Sequence, residues 1–425
     1  MSDGELPPLA ARIASLRETG RECTFLGVGP VSETVVRATF DACRRHDCPA
    51  MFIASRNQVD LESLGHGYLM GGMDQRAFAE CIESFREQTA YEGPVYICRD
   101  HGGPWQRNAE LDGKYPHSRA MEIAKESFRA DIEAGFNLLH IDPTKCPFPY
   151  SQDDLCDWTV ELVSFCERTR KDLGLKAIDY EVGTEDIQGG LTTRETFESF
   201  LTALTARLKD EGLPLPTFVV GQTGTLVRLD RNVGHFDRDK TRELAGIAAS
   251  LGIGFKEHNG DYLSAASCRI HPSLGVTAMN VAPEFGLVET DALLALGELE
   301  EKLLREGWLS ETEASGLPSL LEELTFTDAP WKKWMTNELK ELPDERVEAD
   351  RYLRSLIRRV CGHYTFGDER VKRARRKLLE NVARFELVDD PEEFVLARVR
   401  ECIEFYIRHF DLAGVNAALV ERRTQ

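Results

Sequence analysis

MEIAKESFRADIEAGFNLLHID, residues 121–142, decides how the chain is read. Met121, Ala124, Phe128 and Ile132 recur at helical spacing and make one apolar face, Gly135 supplies the left-handed residue on which helices end, and LLHI at 138–141 follows as a short apolar strand. The same rhythm extends in both directions. TFLGV (24–28), AMFIA (50–54) and VYIC (95–98) precede it; AIDYEV (177–182), TFVV (217–220), IGFK (253–256) and VTAMNV (276–281) follow, most of them separated by amphipathic helical stretches. Eight strand-then-helix repeats within about 300 residues predict an α/β fold, a (β/α)8 TIM barrel. Its weakest seam lies between the last two runs, where DYLSAASCRIH leaves room only for a short helix. The rival, an open doubly wound sheet, needs a glycine-rich first turn, and LGVGPVSE offers Gly27 and Gly29 but Ser32 in the third glycine position.

Beyond residue 300 the strand pattern stops. ELEEKLLREGW, LPSLLEELTF, DRYLRSLIRRVCGHY, RVKRARRKLLENVARF and FVLARVRECIEFYIRHF predict a C-terminal all-helical extension, 301–425, packed on a barrel formed by 1–300. With 52 Lys and Arg against 72 Asp and Glu the net charge is −20, which repels a phosphate backbone and makes nucleic acid a poor partner. The basic run RVKRARRKLLEN interleaves its charges with Leu, Val and Ala at helical spacing and reads as a solvated face. Eleven cysteines without a C-x-x-C pair predict reduced thiols and a cytoplasmic protein. No leader and no run approaching about 18 apolar residues predicts a membrane segment.

In a barrel the reacting groups stand at the carboxyl ends of the strands. The second run ends in Ser55, Arg56, Asn57 and Gln58, the third in Asp100 and His101, the fourth carries His140 and Asp142, the fifth Glu181 and Glu185, the sixth Gln222, and the seventh His258, Asn259 and Asp261. His101 and His258, with a carboxylate from strand five, form a three-ligand set for a divalent metal that leaves a position for substrate oxygens. Imidazoles more than about 8 Å apart would exclude a shared ion, since Zn–N bonds are about 2.0–2.1 Å. Asp100 and Asp142 are candidates for general acid and base, with orientation of the histidines as the alternative. His140, inside an apolar strand, reads as a core histidine. Ser55, Arg56, Asn57 and Gln58 suit a polyol, against the alternative of a tight turn. G-x-S-x-G and the G-x-x-x-x-G-K-[ST] loop are both missing, which removes support for serine hydrolases and P-loop kinases.

IASRNQVD (53–60), GYLMGGMDQRAF (67–78), DHGGP (100–104), AGFNLLHIDPT (134–144), DYEVGTE (179–185), VVGQTG (219–224) and EHNGDY (257–262) resemble, in order, the GatZ/KbaZ-type family, known as the non-catalytic subunit of class II tagatose-bisphosphate aldolase. Its relatives include sugar 4-epimerases. The resemblance implies a TIM barrel with a helical extension and, in the active relatives, metal-assisted chemistry on a ketose. By motif it assigns His101, Glu185 and His258 to the metal, preferring Glu185 to Glu181. Gln222, Asn259, Asp261 and Asn280 join Ser55, Arg56, Asn57 and Gln58 on the substrate side.

The expected function is retro-aldol and aldol chemistry at C4 of a ketose or ketose derivative, a 4-epimerase with zinc, or manganese, cobalt or nickel. The alternative is a subunit that stabilises a partner aldolase. Departures from the pattern, among them Asn280 where the family has Lys and Glu284 soon after, bear on phosphate recognition. A carboxylate near a phosphate costs on the order of 4 kcal/mol at 4 Å with an effective dielectric of 20. A substrate with at most one anionic group is therefore expected, unless Arg56, Arg228 and Arg269 compensate.

Overall fold

The computed structural model describes residues 9–183 and 193–420. Eight parallel strands close into a barrel: β1 (Phe25–Val28), β2 (Ala50–Ser55), β3 (Val95–Gly102), β4 (Leu138–Ile141), β5 (Asp179–Gly183), β6 (Phe218–Val220), β9 (Gly254–Glu257) and β10 (Val276–Val281), with β1 paired to both β2 and β10. The loop after β6 carries a short antiparallel hairpin that the sequence pattern does not announce, β7 (Val227–Arg228) and β8 (Arg231–Asn232). β3 runs four residues beyond its apolar run and delivers Asp100 and His101 from within the strand.

The doubtful seam closes by direct pairing of β9 with β10. Between β9 and β10 stand only the helix Ala265–Ile270 and a turn of 3-10 helix, too little to cover the barrel wall. The helix Pro391–His409 packs on the helices Glu33–His46, Pro283–Arg305 and Ala265–Ile270, and its Leu396, Val399, Ile403, Tyr406 and Ile407 are buried in the same apolar core as the barrel strands. Thr24 N–H, just before β1, donates to the Phe410 carbonyl. At the amino end of the barrel, Asp179 takes the N–H groups of Leu9 (2.8 Å) and Ala10 (3.0 Å), fixing the helix Leu9–Glu18 across the strand starts.

The other late helices form two smaller cores. One of them, around Trp331, Met335, Leu356, Ile357 and Val360, includes Leu229 and Leu287 and packs against Tyr262 and Tyr364, so it sits on the loops at the carboxyl ends of the strands. This segment roofs the barrel mouth. All eleven cysteines are free, and no helix among the described residues is long and apolar enough to cross a membrane.

Alternation along β3 sends Arg99 outward, where its guanidinium meets Asp131 of the helix His117–Glu133 (2.9 and 2.5 Å) and the carbonyls of Ala54 and Val59. Both side chains are fully buried. Asp131→Ala is expected to cost about 3–5 kcal/mol, because the charge left behind is buried without its partner. Urea unfolding measures it, and a loss below about 1 kcal/mol would contradict the assignment.

Candidate active site

Alternate side chains on four of the strands point into the barrel: Asp100 on β3, His140 on β4, Glu181 on β5 and Lys256 on β9, with His258 just past the end of β9 and Asn280 on β10. The residues next to them in sequence face the helices; Tyr180 donates to Glu167 and Glu257 meets His271 (3.2 Å). His101 breaks this alternation. The pairing of β3 with β4 shifts between Arg99 and Gly102, and His101 takes a left-handed backbone (φ 45°), a strained conformation for a residue with a Cβ. Consecutive residues Asp100 and His101 thereby both face the mouth. Gly103 makes this bend possible: its φ is +126°, and a Cβ there would lie 2.8 Å from the Asp142 carbonyl.

The two predicted metal histidines meet. Their ring centroids are 4.9 Å apart, and His258 Nδ1 lies 3.2 Å from His101 Nε2. Each ring has a carboxylate on its other nitrogen: Asp142 Oδ2 at 2.7 Å from His101 Nδ1, and Glu181 Oε1 at 3.1 Å from His258 Nε2. A carboxylate accepts the ring N–H it faces and leaves the opposite nitrogen with its lone pair. The facing nitrogens, 3.2 Å apart, can share one proton as a hydrogen bond or turn both lone pairs to a cation. Two nitrogens on one tetrahedral ion stand about 3.3 Å apart, so the pair fits a divalent metal. Asp100, His140, Glu181 and His258 form one group of donors close enough to hold an ion, and His101, His140 and Asp142 form another. Glu185 lies outside the described residues.

His140 is fully buried, as a core histidine would be, yet it belongs to this centre. Its Nδ1 lies 3.5 Å from Glu181 and accepts the His101 backbone N–H (3.3 Å), because an inward position on a barrel strand near the mouth is both buried and polar. Burial holds its pKa below the ordinary imidazole value. Lys256, which sequence reasoning passed over, donates to Glu181 Oε2 at 2.6 Å and is equally buried. A lysine inside an apolar strand, two residues before a candidate ligand, was the available signal. Burial works against the ionised form of Glu181, and Lys256, His140 and His258 overcome it and hold the carboxyl well below its usual range.

Both oxygens of Asp142 are engaged by the protein. Oδ2 faces His101, and Oδ1 takes the Thr144 N–H (3.1 Å) and hydroxyl (2.5 Å). These contacts are those of the alternative reading, in which Asp142 orients His101. Despite burial, its carboxyl is held well below the usual range by the His101 hydrogen bond and the charges of His140 and Lys145. Asp142→Asn is expected to weaken metal affinity by about 10–100-fold, the usual cost of losing a carboxylate behind a histidine ligand. A chelator competition titration tests this. Asp100 is the more open carboxylate, its side chain 14% exposed. Its Oδ1 takes the Asn280 amide N–H (3.1 Å) and lies 3.7 Å from His258 Nε2. Burial is again outweighed, here by His101, His258 and Lys256, and Asp100 stays ionised below the ordinary carboxylate range.

Other predicted substrate contacts separate. Ser55 pairs in register with Asp100, which puts it at the mouth. Arg56 is buried, its guanidinium bound to Asp60, Glu110 and the Gly103 carbonyl; the Asn57 amide donates to the Gln106 carbonyl, and Gln58 Oε1 accepts the Ser55 N–H. The tight-turn alternative accounts for these three side chains, whose polar groups join one loop to the next. Gln222 Oε1 accepts the Gly224 N–H, and Asn259 is half-buried in a left-handed turn (φ 61°).

Asp261 meets a helix start. Its Oδ1 accepts the N–H groups of Ala282 (2.9 Å) and Glu284 (3.0 Å) at the start of the helix Pro283–Arg305. Burial, then the charge of Glu284, pushes its carboxyl up to about 7. A carboxyl raised above its unfolded value of about 3.9 stabilises the fold below that pH and loses the contribution as pH rises through the folded pKa. Asp261→Asn is expected to flatten the decline in unfolding free energy between about pH 4 and pH 7. Equal slopes in parent and variant would contradict the shift.

The match to the family described as D-tagatose-1,6-bisphosphate aldolase subunit GatZ/KbaZ-like covers residues 10–408. The GatZ subunit of Escherichia coli (strain SMS-3-5 / SECEC) is 25% identical over 336 residues, 73% of this chain and 74% of that one. A probable tagatose 6 phosphate kinase from Sinorhizobium meliloti 1021 shares the fold at TM-score 0.73 with 18% identity, over 91% of this chain and 100% of that one. The fructuronate-tagaturonate epimerase UxaE from Cohnella laeviribosi does so at TM-score 0.57 with 12% identity, over 94% and 85%. This chain, a closed eight-stranded parallel barrel with late helices roofing its mouth, belongs to the GatZ/KbaZ-like family.

Proposed function

We propose that the protein is a divalent-metal-dependent carbohydrate enzyme that acts at C4 of a ketose or ketose derivative by retro-aldol and aldol chemistry, most specifically as a 4-epimerase of the cytoplasm. The observation that carries this reading is the pair of carboxylate-backed imidazoles opposed across 3.2 Å, beside the ionised Asp100. His101 and His258 would hold the metal. When bound, zinc or a similar ion supplies Lewis-acid polarisation of the ketose carbonyl.

The protein's own groups supply the rest. Asp100, ionised and facing the mouth, takes the proton of the C4 hydroxyl, and the C3–C4 bond breaks, its electron pair passing toward the C2 carbonyl oxygen, to give an aldehyde at C4 and an enediolate over C2 and C3. Rotation of that aldehyde and return of C3 to its other face, with the proton handed back from Asp100, invert C4. Asn280 holds Asp100 in place, Asp142 and Glu181 fix the two rings, and Lys256 neutralises Glu181. The roof over the mouth keeps water from the fragments while they are apart.

The competing reading, a stabilising subunit of a partner aldolase, draws on the name of the Escherichia coli relative. The purified chain alone decides between them. Stoichiometric metal and epimer formation from a panel of ketoses, ketose phosphates and ketohexuronates, followed by NMR, support the enzyme. Neither metal nor turnover, with activity appearing only in a partner aldolase to which the chain is added, supports the subunit.

A further inference from the structure

Two side chains from neighbouring loops close on one point of the backbone behind His101. The ends of β3 and β4 meet where the Asp142 N–H donates to the Gly102 carbonyl (2.7 Å), and a Cβ on Gly103 would lie 2.8 Å from the Asp142 carbonyl. The His101 ring and the Asp142 carboxylate, 2.7 Å apart, are both carried by this junction. His101 faces the mouth on a left-handed backbone (φ 45°), and a residue with a Cβ keeps such a conformation only where its surroundings fix it. Two bonds grip the junction from outside the strands. Arg56 Nη1 donates to the Gly103 carbonyl (2.9 Å), and Gln106 Nε2 donates to the Asp142 carbonyl (2.7 Å).

Both donors are themselves held. The Arg56 side chain has no exposed surface; its Nε–H goes to Asp60 (3.0 Å) and its Nη2 to Glu110 (2.8 Å), so the planar fork aims Nη1 at Gly103 and at the second Glu110 oxygen (3.1 Å). Asp60 is fixed in turn by the Ser127 hydroxyl (2.8 Å) and the Gln75 amide (3.1 Å). The backbone of Gln106, a buried residue, accepts the Asn57 amide (3.0 Å). Desolvation offsets most of the attraction within a buried charge cluster, so what Arg56, Asp60 and Glu110 contribute is a fixed geometry.

We infer that Arg56 and Gln106 are positioning residues of the metal centre, holding the junction of β3 and β4 in the one arrangement that turns His101 toward His258. The inference rests on the proposed reading of these histidines as metal ligands and deepens it. Arg56, expected on the substrate side, acts on the ion through the backbone and never touches the ketose.

The test uses the full-length chain with Arg56→Met, Arg56→Lys and Gln106→Met. Asp179→Ala, at the amino end of the barrel, is the control for lost stability. Zinc affinity from chelator competition is measured beside urea unfolding and, at saturating zinc, kcat and KM on the ketoses that the parent turns over. Arg56→Met and Gln106→Met are each expected to weaken zinc binding about tenfold, the lower end of the range for groups behind a metal ligand, with KM at saturating zinc unmoved. Arg56→Lys keeps the charge that Asp60 and Glu110 require and is expected to recover part of the affinity. Asp179→Ala is expected to lose stability and to bind zinc as the parent does. Gln106→Met leaves the charge cluster whole and carries the test should Arg56→Met fail to fold. Parental zinc affinity in Gln106→Met and Arg56→Lys would overturn the inference, and so would a raised KM with parental zinc affinity, which marks Arg56 as a substrate contact. Weakened zinc binding in these variants of a chain that turns over no ketose would keep the positioning role and remove the enzymatic reading.

Discussion

A His258→Ala chain is expected to purify without stoichiometric metal and to lose about 10³-fold or more in turnover, since Lewis-acid stabilisation of several kcal/mol goes with the ion. His101→Ala should behave alike. The two imidazoles offer one opposed pair of nitrogens at 3.2 Å, and removing either leaves a single ring at that position. The consequences for the fold differ from those for activity. His258 lies just beyond β9, and its loss frees Glu181 from one partner while Lys256 still holds the other oxygen. Unfolding midpoints should therefore move little while metal content collapses. Elemental analysis and thermal unfolding on the same preparation make the comparison. Retention of one ion per chain in both variants would show that the histidines are structural. Treating the parent with a chelator should reproduce the variant's loss of activity, with recovery on adding zinc.

The second large effect falls on Asp100. Asp100→Asn keeps the size of the side chain and can still accept the Asn280 amide hydrogen bond. It cannot take up a proton from a hydroxyl. Turnover is expected to fall by about 10²–10⁴-fold with metal content and stability near those of the parent, the range for loss of a general base. Asp142→Asn gives the contrasting pattern, because Asp142 acts through His101: metal affinity falls, and saturating metal restores part of the rate. Rate profiles against metal concentration separate the two. Identical profiles for both variants would remove the distinction drawn between them.

Much of the barrel was written locally. Every apolar run except that of β3 became a strand within a residue or two because a barrel strand is buried along its length, so that burial selects a short continuous apolar segment with turn residues at its ends. Gly135, at φ +86°, ends its helix as its position predicts. His101 and His258 were legible for a related reason: a polar residue placed directly after such a strand has only the mouth to face.

What the sequence withheld depends on through-space relations between distant segments. The helix Pro391–His409 packs on the barrel's outer helices, among them Glu33–His46 at the other end of the chain, and no periodicity within it says which of them it will meet. The same type of residue, a buried polar one on an inward strand position, became core-like or functional according to its neighbours. His140 and Lys256 joined the centre because Glu181 stands between them, while Arg56 and Asp261 were drawn into a loop bridge and a helix cap. Alternation along one strand says which face a side chain takes. The partner it finds there is set by register and closure, which bring residues 100, 181, 258 and 280 to one point, and only the folded chain decides that.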